Sequence, residues 1–238
     1  MPSFARKHQL QASLIYHVMN RGNARQDLFH EPLDYQYFKQ VLSKYAATNN
    51  LNLYHWALMT NHYHLCLEAP HPEALSKIMA GLQRSYVHYH HRKYHSAGFL
   101  FQGRFRSQPI QKERYLLACG RYIEQNPVKA GLTSRAEEYE QSSARFYTAG
   151  VADGVTVMSP LYETFGRTPA ERRTAYRDFL EQSTEEHRLF ESATASLGDD
   201  EFLGRLVRKR GRLVGRRRGG RLSSGVINAQ HIVSQLIT

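Results

Sequence analysis

Apolar and polar residues alternate over residues 12–21, ASLIYHVMNR, with Leu14, Tyr16 and Val18 on one side. A period of two predicts a half-buried β-strand, and the Arg-Gly-Asn stretch at 21–23 supplies the turn that ends it. The period then lengthens. Tyr37, Phe38, Val41, Leu42 and Tyr45 recur at helical spacing, with Asp34 as the expected cap and Asn49-Asn50 as the stop. Two strand-like runs follow, LNLYHWALM at 51–59 and HYHLCLE at 62–68. Only Thr60-Asn61 separates them, which predicts a hairpin, and Pro70 and Pro72 close the second run. Over 73–94, Leu75, Ile78, Met79, Leu82, Tyr86 and Tyr89 form one apolar stripe of a long amphipathic helix that Gly98 breaks. A fourth strand is expected within 99–110, FLFQGRFRSQPI, and a third helix over 112–125, stopped by Pro127.

The predicted order is β-α-β-β-α-β-α. Its first six elements match the ferredoxin-like split β-α-β arrangement, an α+β fold with an antiparallel sheet and helices on one face. The pattern weakens beyond about residue 135. Residues 136–147 read as a surface segment with aromatic anchors. Residues 168–190 hold a plausible helix whose apolar side is Tyr176, Phe179 and Leu180, and Leu197–Leu203 start another short one. The expected division is a domain over 1–135, a helical C-terminal extension over 136–203, and a basic tail over 204–238.

Charge sharpens that division. Of 32 Lys and Arg residues, nine lie in 202–238, where no acidic residue occurs; residues 1–201 hold 23 basic and 21 acidic residues, a net of +2. A nearly neutral body with a strongly basic tail favours a polyanionic partner. Nucleic acid suits it better than a membrane, because the basic stretch offers few large apolar residues to insert; a solvated solubility tail is the bland alternative. No run of eighteen apolar residues is present, and the N-terminus lacks a secretory apolar stretch. Cys66 and Cys119 belong to no CxxC motif, so neither a disulfide framework nor a structural zinc site is expected. Together these features fit a reduced, cytoplasmic compartment.

Three groups of residues carry candidate chemistry. On a strand, His62, His64, Cys66 and Glu68 point one way and Tyr63, Leu65 and Leu67 point into the core. Two imidazoles about 7 Å apart along one strand can converge on a metal ion, and oxygen ligands completing the site would admit Mg²⁺ or Mn²⁺. An HxH triplet alone is weak evidence in a chain with 13 histidines, and two surface histidines on an edge strand are the alternative. In the third helix, RYIEQNP, Tyr122 and Asn126 stand at i and i+4 on one face. A phenol and a carboxamide oxygen would project together; the alternative is a core tyrosine and a helix-end asparagine, in a chain with 15 tyrosines. Arg21, Asn23 and Arg25 after the first strand, and Gln102, Arg104 and Arg106 on the fourth, are candidates for phosphate and base contacts. Phe101 and Phe105 are read as core residues, with stacking on unpaired bases as the alternative.

Four segments in order, YHVMNRGN, WALMTNHYHLCLE, FLFQGRFRS and RYIEQNPVKAGL, resemble the REP-associated tyrosine transposases, bacterial relatives of the single-tyrosine HUH transposases of small insertion sequences. The resemblance covers roughly residues 8–135 strongly, extends weakly over 136–203 and does not reach 204–238. It implies a ferredoxin-like nuclease domain whose HUH motif is His62, Tyr63 and His64 and whose nucleophile is Tyr122. Asn126 corresponds to the polar residue that helps hold the metal, with Gln125 as the alternative. It also implies a metal-dependent reaction on single-stranded, hairpin-forming palindromic DNA through a 5′-phosphotyrosine, by a monomer or homodimer. A non-catalytic hairpin-binding protein of the same fold is the competing expectation. A replication initiator or relaxase is a second, although the chain has no GxxxxGK[ST] loop. A water-using metallohydrolase is a third.

Overall fold

The computed structural model describes residues 14–70, 72–182, 187–191 and 196–203. The basic tail 204–238 and the first residues of the opening strand's run lie outside them. The chain runs β1 (Leu14–Arg21), α1 (Pro32–Thr48), β2 (Asn52–Leu58), β3 (His62–Ala69), α2 (Pro72–Tyr94), β4 (Arg106–Ile110) and α3 (Lys112–Glu124). The strands form one antiparallel sheet in the order β2-β3-β1-β4, the ferredoxin-like arrangement expected from the first six elements.

Period-two alternation divides this sheet into two faces. Tyr16 and Val18 of β1, Trp56 and Leu58 of β2, and Tyr63, Leu65 and Leu67 of β3 share a core with Phe38, Leu42, Leu75, Ile78, Met79, Leu82 and Tyr86 from α1 and α2. Phe101 and Phe105 join this core, as expected. The opposite face presents Ile15, Cys66 and Ile110 to Leu116, Cys119, Tyr122 and Ile123 of α3. The seventh element therefore covers the side that α1 and α2 leave open.

Two boundaries differ from the sequence reading. Glu31 caps α1, and Asp34 sits at its third position, where its side chain accepts from the His30 and Glu31 backbone N–H groups at 2.8 and 3.1 Å. Asp34 is buried and also accepts from Tyr89, Tyr94 and Lys93 of α2. Burial alone would raise its pKa, but these hydrogen bonds outweigh burial and hold it well below the usual carboxylate range. A residue read as a cap thus staples two helices. Strand β4 begins only at Arg106, so Gln102 and Arg104 lie in the preceding loop; Gly103, at φ +115°, takes a backbone conformation that breaks strand geometry.

Pro127 ends α3 but not the helical path. Residues Asn126–Lys129 make a further turn, α4, with the proline in its first turn, where a missing N–H costs nothing. Beyond it, α5 (Ala144–Ala149), α6 (Pro169–Glu181) and α7 (His187–Glu191) follow. The helix expected over 168–190 is thus divided between α6 and α7. A capping box between Thr168 and Glu171 starts α6. Tyr147, Tyr162, Tyr176, Phe179 and Leu180 close a third core.

This extension is tied to α3 by a buried carboxylate. Glu124 accepts from Ser143 Oγ at 2.6 Å and Tyr176 Oη at 2.8 Å, and pairs with His55 Nδ1 at 2.9 Å. A β-bulge places Tyr54 opposite no residue of β3 and turns His55 toward α3. Gly120 makes the approach possible, since a Cβ there would lie 2.7 Å from the His55 ring. The extension also guards both sheet edges: Leu58 N–H donates to Gln141 O, and Leu197 N–H donates to Pro109 O.

Candidate active site

Strand β3 delivers His62 and His64 to the α3 side of the sheet, and Tyr63 to the other side, as alternation requires. Their rings stand 5.0 Å apart, nearly perpendicular. Helix α3 lays Tyr122 against the same spot. Its ring is 5.5 Å from that of His64 and 5.6 Å from that of His17 on β1. Phe190 of α7 closes the far side at 5.4 Å. Residues on two strands and two helices of a single chain therefore meet in one place.

Asn126, one turn beyond Tyr122, donates through Nδ2 to the Tyr122 carbonyl at 2.8 Å. That bond engages the nitrogen end and leaves Oδ1 as an available ligand oxygen. Gln125, the alternative, donates its amide to Leu180 O in α6 and so faces the extension. Among the described residues no cluster of three or more His, Cys, Asp and Glu side chains is placed to hold a metal ion. A metal here would depend on the histidine pair and on oxygens such as the Asn126 carboxamide. Imidazole nitrogens suit several divalent transition metals, and oxygen ligands completing the site would admit Mg²⁺ or Mn²⁺. Each imidazole is anchored through Nδ1, His62 to Asn61 Oδ1 at 2.7 Å and His64 to His17 Nε2 at 2.9 Å, so Nε2 of each is the atom left for an ion.

Burial governs the electrostatics. It lowers the His62 pKa to about 4, helped by the nearby Arg21 charge. It also lowers His64 well below its ordinary value, helped by His17 and His62. His17 falls to about 4 through burial, partly opposed by its bond to Gln108. All three rings are neutral at pH 7, the form a metal requires. The Tyr122 phenol is pushed well above its ordinary value, by burial first and then by Cys119 and Glu191, while the Asn126 side chain pulls the other way. It needs a proton acceptor or a nearby cation before it can act as a nucleophile.

A stability prediction follows from His17. Its folded pKa lies below its unfolded one, so the unfolded chain binds more protons as the pH falls through the interval between them. Stability should therefore drop below about pH 6.5 and stop dropping on this account below about pH 4, with about 2 kcal/mol lost by pH 5. Urea denaturation at pH 7 and pH 5 measures it. A His17→Gln variant, which has no proton to gain, should lose that increment; an equal pH dependence in both proteins would refute the assignment.

Of the candidate DNA contacts, Arg21 stands beside His62, opposite it in the β1–β3 register. Asn23, Arg25, Arg104 and Arg106 are exposed. Two loops carry them and are sewn together: Asn23 N–H donates to Leu100 O, Gln102 N–H to Arg21 O, the Arg21 guanidinium to Gln102 Oε1, and Asn20 Nδ2 to Gly103 O. These contacts join the two segments at the Arg21 end of β1, which pairs with the His62 end of β3. Sequence reading passed over His17, Asn61 and Gln108. A histidine inside an apolar strand was the signal for the first; Asn61 was read only as a break between strands, and nothing local marked Gln108.

The family described as transposase IS200-like matches residues 10–126, which span β1 to α3 and contain His62, His64 and Tyr122. The solved structure of a REP-associated tyrosine transposase bound to a REP hairpin superposes with a TM-score of 0.52 at 18% identity, covering 66% of this chain and 92% of that one. The chain and that structure share a fold. No curated protein matches the chain.

Proposed function

Residues 10–126 belong to the IS200-like transposase family, and on that premise we propose that the chain cuts and rejoins single-stranded DNA beside a hairpin, with Tyr122 as nucleophile. The observation that carries this reading is the 5.5 Å approach of the Tyr122 ring to His64, within one chain and beside neutral His62. On this reading nucleophile and histidines act in cis, supported by the ring contact within one chain.

When bound through His62, His64 and the Asn126 carboxamide oxygen, Mg²⁺ or Mn²⁺ supplies Lewis acidity to a phosphate oxygen. Tyr122 Oη forms the new bond to phosphorus as its proton leaves to a base or solvent. The P–O3′ bond breaks, its electron pair stays on O3′, and that oxygen takes up a proton as the strand's free 3′-hydroxyl. The other strand end remains as a 5′-phosphotyrosine. One phosphodiester has been exchanged for another, so a 3′-hydroxyl can later reverse the step without ATP. His62 and His64 hold position, while Asn126 steadies the end of the helix that carries Tyr122 through its bond to the Tyr122 carbonyl.

Arg21, Asn23, Arg25, Arg104 and Arg106 suit the backbone and unpaired bases at the foot of a hairpin. The similar solved structure holds a REP hairpin, and a short palindromic repeat is the substrate proposed for this chain. Arg104→Ala is expected to weaken binding by about the same factor on every hairpin and to lower the salt slope of log K by about 1. Fluorescence anisotropy across a salt series measures this; an unchanged slope would remove Arg104 from the phosphate contacts.

The reading is tested by mixing the protein with single-stranded hairpin DNA and Mg²⁺ or Mn²⁺, then resolving the products on a denaturing gel. A metal-dependent protein–DNA adduct, absent in His64→Ala, is expected. Tight hairpin binding with no adduct would make the chain a DNA-hairpin-binding protein of the same fold, and strand cleavage without an adduct would make it a water-using nuclease.

A further inference from the structure

We infer that two carboxamides, Asn61 and Gln108, set the tautomer of the histidine pair, holding His62 and His64 in the Nδ1–H form so that each offers an Nε2 lone pair to a metal ion. The inference rests on the metal-site reading above but concerns the protein before any metal arrives.

Gln108 is fully buried on β4, directly across from His17 in the β1–β4 register. Its Nε2 donates to Leu189 O at 3.1 Å. A backbone carbonyl can only accept, so the amide nitrogen must be the end facing Leu189. Its oxygen then faces His17 Nδ1, at 3.4 Å. That oxygen also only accepts, so His17 carries its proton on Nδ1. A second proton would make the fully buried His17 a cation whose ring nitrogens meet only an amide oxygen and another imidazole, so its Nε2 is a bare acceptor. The partner of that Nε2, at 2.9 Å, is His64 Nδ1, which must carry a proton. A neutral His64 then has its lone pair on Nε2.

The second chain is shorter and ends the same way. Asn61 Nδ2 donates to Arg25 O at 3.3 Å, which turns Asn61 Oδ1 toward His62 Nδ1 at 2.7 Å. His62 Nδ1 is thus the donor and Nε2 the lone pair. The Arg25 carbonyl is aimed by a left-handed stretch of backbone, with Ala24 at φ +51° and Arg25 at φ +63°. Each ligand is oriented by a backbone carbonyl acting through an amide, directly for His62 and through His17 for His64. The reverse tautomer would point an N–H at the ion. Outer-shell partners of this kind commonly change metal affinity about 10–100-fold when removed. Asn61, His17 and Gln108 are positioning residues, acting on the ion only through the two imidazoles, and His17 and Gln108 are fully buried.

Proton–nitrogen correlation spectra of the histidine side chains in metal-free protein at pH 7 test this directly, with His62→Gln and His64→Gln assigning the signals. Both rings are expected to show a protonated Nδ1 and a bare Nε2; a protonated Nε2 on either ring overturns the inference for that ring. Gln108→Met keeps the side-chain length but removes the amide. It should mix the His64 tautomers and weaken Mn²⁺ binding about 10-fold or more. His17→Gln keeps an acceptor near His64 Nδ1 and should retain the Nδ1–H form. An unchanged His64 tautomer in a folded Gln108→Met protein would overturn the relay, and if that variant does not fold, the wild-type spectra decide alone. Mn²⁺ titration separates the two readings. Nδ1–H rings in a protein that binds no Mn²⁺ would retain the tautomer assignment and sink the metal site, whereas Mn²⁺ binding to rings with a protonated Nε2 would do the reverse.

Discussion

Tyr122→Phe is expected to remove the covalent DNA adduct, by a factor on the order of 10³ or more, while leaving the protein folded and able to bind hairpin DNA. The substitution deletes one oxygen. The ring keeps its contacts with His64, His17 and Phe190, so the change in stability should stay within about 1 kcal/mol. No neighbouring group can replace the phenol, because the attacking atom must become part of a phosphodiester that survives denaturation. A labelled hairpin, incubated with either protein and resolved after denaturation, reads both adduct and cleavage. An adduct of undiminished yield would transfer the nucleophile to another of the chain's 15 tyrosines. Cleavage that continues without an adduct would mean that water attacks. Binding should be measured on the same samples, since a variant that no longer binds DNA says nothing about the nucleophile.

The largest effect on stability is expected at Glu124, only two residues further along α3. Glu124→Ala should destabilise the protein by about 3–5 kcal/mol, lowering Tm by on the order of 10 °C for a chain of this size. The carboxylate is fully buried and is the common partner of His55, Ser143 and Tyr176. Its removal leaves three buried polar groups facing a cavity, and each unsatisfied group costs about 1–3 kcal/mol. His55 has no slack, because its Nε2 already lacks a hydrogen-bond partner among the described residues. Glu124→Gln preserves the volume and one acceptor oxygen and should cost less. Thermal denaturation of the three proteins orders them as wild type, Gln variant and Ala variant. An Ala variant as stable as wild type would show that the network contributes little and that the extension is held to α3 by apolar packing alone. Because the same helix carries Tyr122, the Ala variant should also lose adduct formation at temperatures well below its melting point, as α3 loosens.

Glu124 also marks the limit of what linear patterns reveal. In sequence it is one acidic residue in RYIEQNP, unremarkable beside the tyrosine it follows. Its partners come from β2, from the start of α5 and from α6, between 19 and 69 residues away. Asp34 was legible as a helix-start residue but not as the acceptor that joins α1 to α2, since Tyr89, Lys93 and Tyr94 meet it only when the two helices pack. The same holds for β4. Its apolar run was visible, but the start at Arg106 was set by pairing with β1 and by the turn at Gly103.

The order of elements, the inward and outward faces of β3, and the shared helix side of Tyr122 and Asn126 were determined by sequence alone. They follow from the periods of the strand and the helix, which act between residues two to four apart and are written directly in the order of side chains. That Gln125 turns toward the extension needed the fold, because only the packing of α6 offers Leu180 O to it. The tertiary structure also decided that Tyr122 stands against the histidines of its own chain, and that His17, Gln108 and Asn61 lie behind them. Those relations depend on strand register and sheet order. Contacts across 47 and 91 residues of chain arise from the burial of whole faces, and no local period encodes them.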